Sequence, residues 1–161
     1  MTAAAADDLD LGARLVRHWQ ATADQMRDLP VFNPHLGVHV TEVRRIAGWS
    51  AVVVATPWFM NLFAFPGTGS MLPAIGDWFR LPLPAGEVDA VSAALDGFGA
   101  YASVPIFSPM DEFSEQAAVA DLADALLDSL LSVPPAPPAT FDRTLDRRKL
   151  LFGLGGRESR A

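Results

Sequence analysis

The chain has 161 residues, half of them hydrophobic and 19% charged, enough for one domain with a substantial core. It contains no cysteine, which excludes disulfides, iron–sulfur clusters, rubredoxin-type iron, thiolate zinc and a cysteine nucleophile; three histidines (His18, His35, His39) leave little for a transition-metal site. The net charge of −7 is unevenly placed: residues 1–140 carry six basic against sixteen acidic residues, the last 21 six against three, so the body favours a basic partner over nucleic acid.

The first eight residues have neither a basic start nor an apolar core, and no apolar run is long enough to cross a bilayer, so a soluble cytoplasmic protein is expected. The spacing predicts a helix over about Asp8–Arg27, capped by Asp7 or Asp8, with Leu15, Val16, Trp19, Ala23 and Met26 on one face. Leu29-Pro30 stops it and Asn33-Pro34 makes a turn. Alternation over Gly37–Arg45 predicts a strand, with Val38, Val40 and Val43 set against His39, Thr41 and Arg44. Gly48 turns the chain into a valine-rich strand over Trp49–Thr56.

A strand over Trp58–Phe65 is expected directly after Pro57. Here TPWFMNL (Thr56–Leu62) runs on through Phe63-Ala64-Phe65 with almost no polar residue. A half-buried strand alternates apolar with polar. One that does not is covered on both sides or keeps one face for a partner. Gly67-Thr68-Gly69 opens a loop that runs to about Gly76. Trp78–Leu83 reads as a short strand, pushed towards an edge by Pro82 and Pro84. Pro84-Ala85-Gly86 turns. Glu87–Leu95 fits strand or helix, since it lacks bulky β-formers, and Ala100–Phe107 is a strand.

Ser108-Pro109-Met110-Asp111 is expected to open a second helix, with Ser108 as cap and Pro109 in the first turn. Val119, Leu122, Leu126 and Leu130 line its apolar face, with Asp121, Asp124 and Asp128 among its exposed positions, and it ends near Leu131. Pro134-Pro135-Ala136-Pro137-Pro138 forms a stiff extended linker. The expected organisation is an α+β domain over residues 1–133, a mostly antiparallel sheet flanked by an N-terminal and a C-terminal helix. Residues 134–161 follow as a proline-rich linker and an extended basic tail.

No catalytic pattern stands out. G-x-S-x-G is absent, His35 and His39 lack the glutamate of a zinc-protease helix, and Gly67-Thr68-Gly69-Ser70 lacks the lysine of a phosphate loop. Asp111 and Glu112 are explained by the dipole of a first helical turn. Trp58, Phe59, Met60, Asn61 and Phe63 remain as a partner-binding set, because aromatic and methionine side chains supply area and adapt in shape; core packing is the competing reading for each. In the tail, Arg147-Arg148 precede Leu150-Leu151-Phe152, which reads as a docking peptide or as a plain basic extension. It is similar to a twin-arginine export motif, but stands at the wrong end of the chain to export it.

Four stretches together resemble the HybE family of [NiFe]-hydrogenase assembly chaperones: MRDLPVFNP (Met26–Pro34), Trp49–Pro66 with TPWFMNL inside, Leu83–Gly86 followed by Gly99–Met110 ending IFSPM, and the Asp111-Glu112-Phe113 helix start. The resemblance covers about residues 10–131, with a family-like Arg-Arg tail beyond. It implies a non-catalytic protein without a cofactor or metal that helps mature an uptake hydrogenase. Its expected partner is the small-subunit precursor carrying a twin-arginine signal peptide, held in the cytoplasm before export. Some relatives carry an attached rubredoxin, which a chain without cysteine cannot ligate. Physical chemistry agrees: two arginines and an apolar segment call for acidic groups beside an adaptable apolar surface, with charge supplying steering more than affinity. Two alternatives stay open: a small hydrolase using Ser108 or Asp111, and a self-associating module. In the latter Arg147, Arg148, Leu150 and Leu151 dock in the groove of the TPWFMNL segment, mimicking the signal.

Overall fold

The computed structural model describes residues 3–134, with side chains from residue 7. The expected tail, including Arg147, Arg148, Leu150 and Leu151, lies outside the described residues. The domain is α+β: helix α1 (Ala3–Met26), seven strands, then helix α2 (Gln116–Leu130). The strands are β1 (His39–Val40), β2 (Arg44–Ile46), β3 (Trp49–Ala55), β4 (Met60–Pro66), β5 (Trp78–Leu83), β6 (Gly86–Leu95) and β7 (Gly99–Phe107). They form one sheet in the order β1-β3-β4-β7-β6-β5, with β2 also on β3, and every pairing is antiparallel.

Helix α1 starts earlier than the aspartates suggest. The alanine run before Asp7 is the best of helix formers and continues the helix through it. Asp8 therefore caps nothing; it accepts from Arg45 Nε at 3.1 and 3.2 Å, tying α1 to β2. The buried stripe is Leu11, Leu15, Trp19 and Ala23, one residue every i+4. Val16 lies one position round the helix and faces solvent, not the core.

The expected strand over Gly37–Arg45 is broken. Its register against β3 slips by one residue between Val40↔Val54 and Arg44↔Ala51, so Thr41–Val43 lie opposite Val52 and Val53. The Thr41 hydroxyl causes the break, accepting the Val53 N–H at 2.9 Å in place of a ladder carbonyl. At the β2–β3 turn both Ala47 (φ 32) and Gly48 (φ 90) are left-handed. Alanine pays a steric penalty there, so Ala47→Gly is expected to raise stability by about 0.5–1 kcal/mol, read as a higher midpoint in urea.

The apolar faces divide cleanly. Ala51, Val53, Ala55, Met60, Leu62, Ala64 and Val104 meet Val119, Ala123, Leu126, Leu127 and Leu130 of α2. On the other face Val52, Val54, Phe63, Phe65 and Tyr101 meet Leu15 and Trp19 of α1. β3 and β4 fail to alternate because a helix covers each side of them. β5 lies at the sheet edge, where its prolines placed it, and 86–95 is strand, its side chains alternating between buried and open positions.

The sheet wraps around α2. The last two turns of that helix reach both β2, through the Arg44–Asp128 ion pair, and the β5–β6 turn, where Ala85 N donates to Leu130 O at 3.3 Å. His39 adds a contact of 3.2 Å to Asp124, and a cleft of about 410 Å³ opens between these two pairs.

Candidate functional site

The β3–β4 connection is a tight loop built on one hydroxyl. Thr56 Oγ1 accepts from Trp58 N at 3.2 Å and Phe59 N at 3.0 Å, and Thr56 N donates to Phe59 O at 2.7 Å. Capturing these amides delays the strand to Met60, so Trp58 and Phe59 sit in the loop rather than in the expected strand. The loop stands at the end of the sheet reached by the segment after α1.

Asn33 joins three separate parts of the chain there. Its backbone N donates to Pro57 O at 3.0 Å, and its side-chain Nδ2 donates to Met110 O at 2.9 Å and Phe113 O at 2.7 Å. Its Oδ1 accepts from His35 N at 3.0 Å. The FNP, TPWF and FSPMDEF segments thus converge on one buried amide. This also explains why no helix starts at Ser108. Met110 plugs the core under α2 and Asn33 holds the carbonyls on both sides of Asp111-Glu112, so the helix begins at Gln116 with Glu115 preceding it. Ser108 and Asp111 are exposed on this loop, outside any helical turn.

Around Asn33 the aromatic rings form a connected layer. Phe32 stacks on Trp58 at 6.2 Å with an interplanar angle of 29°. Trp58 meets Phe59 edge-on at 5.8 Å, and Phe59 meets Trp19 at 5.0 Å. Leu29 and Val31 beside them are exposed apolar residues. Asp28, Asp111, Glu112 and Glu115, in the segments that meet at Asn33, all face solvent, and the Arg27 guanidinium, paired with Asp24 at 2.9 Å, lies 6.0 Å from the Phe32 ring centroid. Two buried polar atoms border the layer, Trp19 Nε1 and Asn61 Oδ1, and among the described residues neither has a hydrogen-bond partner.

The five residues expected to bind a partner therefore divide. Trp58 and Phe59 are half-buried and reachable; Asn61 is half-buried, its Nδ2 at 3.4 Å from Ser103 Oγ. Met60 and Phe63 are 0% and 1% exposed, Met60 under α2 and Phe63 under α1, and present no surface to a partner. Phe32, Trp19 and Asn33 were missed by sequence reasoning. The FNP string held the signal for two of them, but its spacing says nothing about what it touches. Deeper under α1, Tyr101 packs on Phe63 at 4.6 Å, and burial pushes its phenol above the ordinary value. Among the described residues no group of three or more His, Asp or Glu could hold a metal ion, and no helix is long and apolar enough to cross a membrane.

The family model described as "[NiFe]-hydrogenase assembly, chaperone, HybE" matches residues 10–153. The chain belongs to the HybE family. It is 37% identical over 142 residues to the hydrogenase expression/formation protein HoxT of Azotobacter vinelandii, covering 86% of this chain and 93% of HoxT. It is 30% identical over 131 residues to the hydrogenase-2 operon protein HybE of Escherichia coli K12, covering 80% and 79%. The solution structure of Escherichia coli HybE has the same fold, with a TM-score of 0.60, 26% identity and coverage of 92% of this chain and 90% of that one. The HybE family match extends past α2 to residue 153, and so takes in the Arg147-Arg148 segment.

Proposed function

We propose that this HybE-family chaperone binds the small-subunit precursor of a [NiFe]-hydrogenase through its twin-arginine signal peptide, in the cytoplasm before export, and performs no catalysis. The observation that carries the reading is the convergence of three sequence motifs on Asn33, which sets an aromatic layer beside the exposed acidic residues Asp111 and Glu112. Phe32, Trp58 and Phe59 receive the apolar part of the signal. Asp111 and Glu112, on the loop held at both ends by Asn33, face its arginines. Apolar contact sets most of the affinity, because exposed ion pairs contribute about 1 kcal/mol or less each.

Capture of the precursor with and without its signal peptide tests this. Loss of capture without the signal is expected, and replacing both arginines of the signal by glutamine should weaken it. Equal capture of the signal-less subunit would sink the signal-binding reading and move the contact to the folded subunit.

A further inference from the structure

β5 lies last in the strand order, and among the described residues no strand pairs with its outer side. The β5–β6 register decides which backbone groups face outward there. It runs without a shift from Trp78↔Val91 to Leu83↔Gly86, where Pro84-Ala85 makes the two-residue turn. At the other end Ser92 N donates to Asp77 O at 3.0 Å. Ladder bonds in an antiparallel pair fall on alternate residues, so Phe79, Leu81 and Leu83 bond β6. The N–H and C=O groups of Trp78 and Arg80 point away from β6. Pro82 also points away but has no N–H, so it closes the Leu83 end of this edge and leaves the Trp78 end open.

The side chains divide in the same way. Phe79, Leu81 and Leu83 pack on the α2 side of the sheet. Trp78, Arg80 and Pro82 stand on the opposite face, all exposed, Trp78 at 61%. Arg80 holds Asp89 at 3.3 Å within its own chain. The indole and the guanidinium are thus neighbours on one face of an open edge.

A second β5 fits this edge in one register. Centred on Arg80 or on Leu81, the pairing demands an N–H from Pro82, and the first of these also sets Arg80 against Arg80. Centred on Trp78, it leaves a single bonded pair. Centred on Phe79, it sets Trp78 opposite Arg80 of the second copy and Arg80 opposite its Trp78, each pair exchanging both of its backbone bonds. Pro82 then faces Gly76, whose N–H is already given to Ser92 O at 2.8 Å, so the absent donor is not missed. Arg80 keeps Asp89 and lays its planar face on the second copy's indole, and the two Phe79 rings meet on the α2 side.

We propose that two copies of this chain join through β5, antiparallel and centred on Phe79, into one continuous sheet. The two-fold axis reverses the strands, so the two Asn33 loops lie at opposite ends of the joined sheet. The pairing does not rest on the cargo reading.

Sedimentation equilibrium on the full chain tests this. The parent should have the mass of a dimer when concentrated and of a monomer when dilute; a monomer at every concentration up to about 1 mM would overturn the proposal. Arg80→Pro removes an N–H that points away from β6, and should weaken association at least about thirtyfold. Trp78→Ser changes an exposed side chain and should weaken it about tenfold or more. A dimer that survives both changes would place the interface elsewhere and overturn the pairing. If Arg80→Pro does not fold, amide exchange on the parent decides. The Trp78 and Arg80 amides should exchange at least about tenfold more slowly in the concentrated sample, and rates independent of concentration would overturn the proposal. In a mixture of isotope-labelled and unlabelled chains, NMR contacts should link Trp78 to Arg80 of the second copy; contacts with another segment in their place would overturn self-pairing of β5. None of these measurements involves the hydrogenase precursor, so their failure leaves the cargo reading intact.

Discussion

Asn33→Ala lowers folding stability by about 3 kcal/mol, the expected loss for a buried amide whose two acceptor carbonyls are left without a donor. The side chain is buried and bonds Met110 O, Phe113 O and the His35 amide, so no water can replace it without opening the loop. Urea unfolding measures the loss. A second consequence separates Asn33 from an ordinary core residue: the amide signals of residues 110–113 should shift and broaden in the folded variant, while those of β3 and β4 stay in place. Asn33→Asp keeps an acceptor for His35 but presents a carboxylate to two carbonyls, and is expected to destabilise at least as much as alanine. A variant within about 0.5 kcal/mol of the parent would show that Asn33 does not hold the loop.

Phe63→Ala and Trp58→Ala should fail in opposite ways. Phe63 lies between Tyr101, Phe59 and Trp19 at centroid distances of 4.6 to 6.2 Å and is fully buried. Truncating it leaves a cavity that the sheet cannot close, at a cost of about 3–5 kcal/mol. Trp58 has one side in solvent and stacks on a half-buried Phe32, so its removal should cost less than half of that. If Trp58 anchors the precursor, truncating it weakens capture by about thirtyfold or more with the fold intact. Paired measurements of unfolding midpoint and capture on both variants check this. A Trp58 variant that unfolds as readily as the Phe63 variant would make it a core residue and remove it from the surface.

Much of the fold could be read from residue pattern, and the failures share a physical cause. The valine run of β3, the apolar periodicity of α2 and the edge position of β5 follow from local spacing and from proline, and the sequence reports these directly. Among the misplaced element starts, that at Ala3 follows from the alanine run before Asp7, while those at Met60 and Gln116 are each decided by a single competing interaction. Thr56 captures two amides, and Asn33 binds two carbonyls 77 and 80 residues away. The residues that form the aromatic layer were half legible. TPWFMNL announced too much apolar surface, and coverage from both sides accounts for Met60 and Phe63, but the pairing of Phe32 with Trp58 is a tertiary fact that no spacing encodes.

The convergence at Asn33 also sets when this surface can form during the chain's own synthesis. A contact across some 80 residues needs both of its ends to have been made, and closing so large a loop costs entropy. A nascent chain that has emerged as far as β6 carries Phe32, Trp58 and Phe59 but lacks the 110–113 loop, and hence lacks the surface. On the proposed function, cargo recognition is thereby coupled to completion: the surface exists only once the fold has closed, and partly made copies lack it.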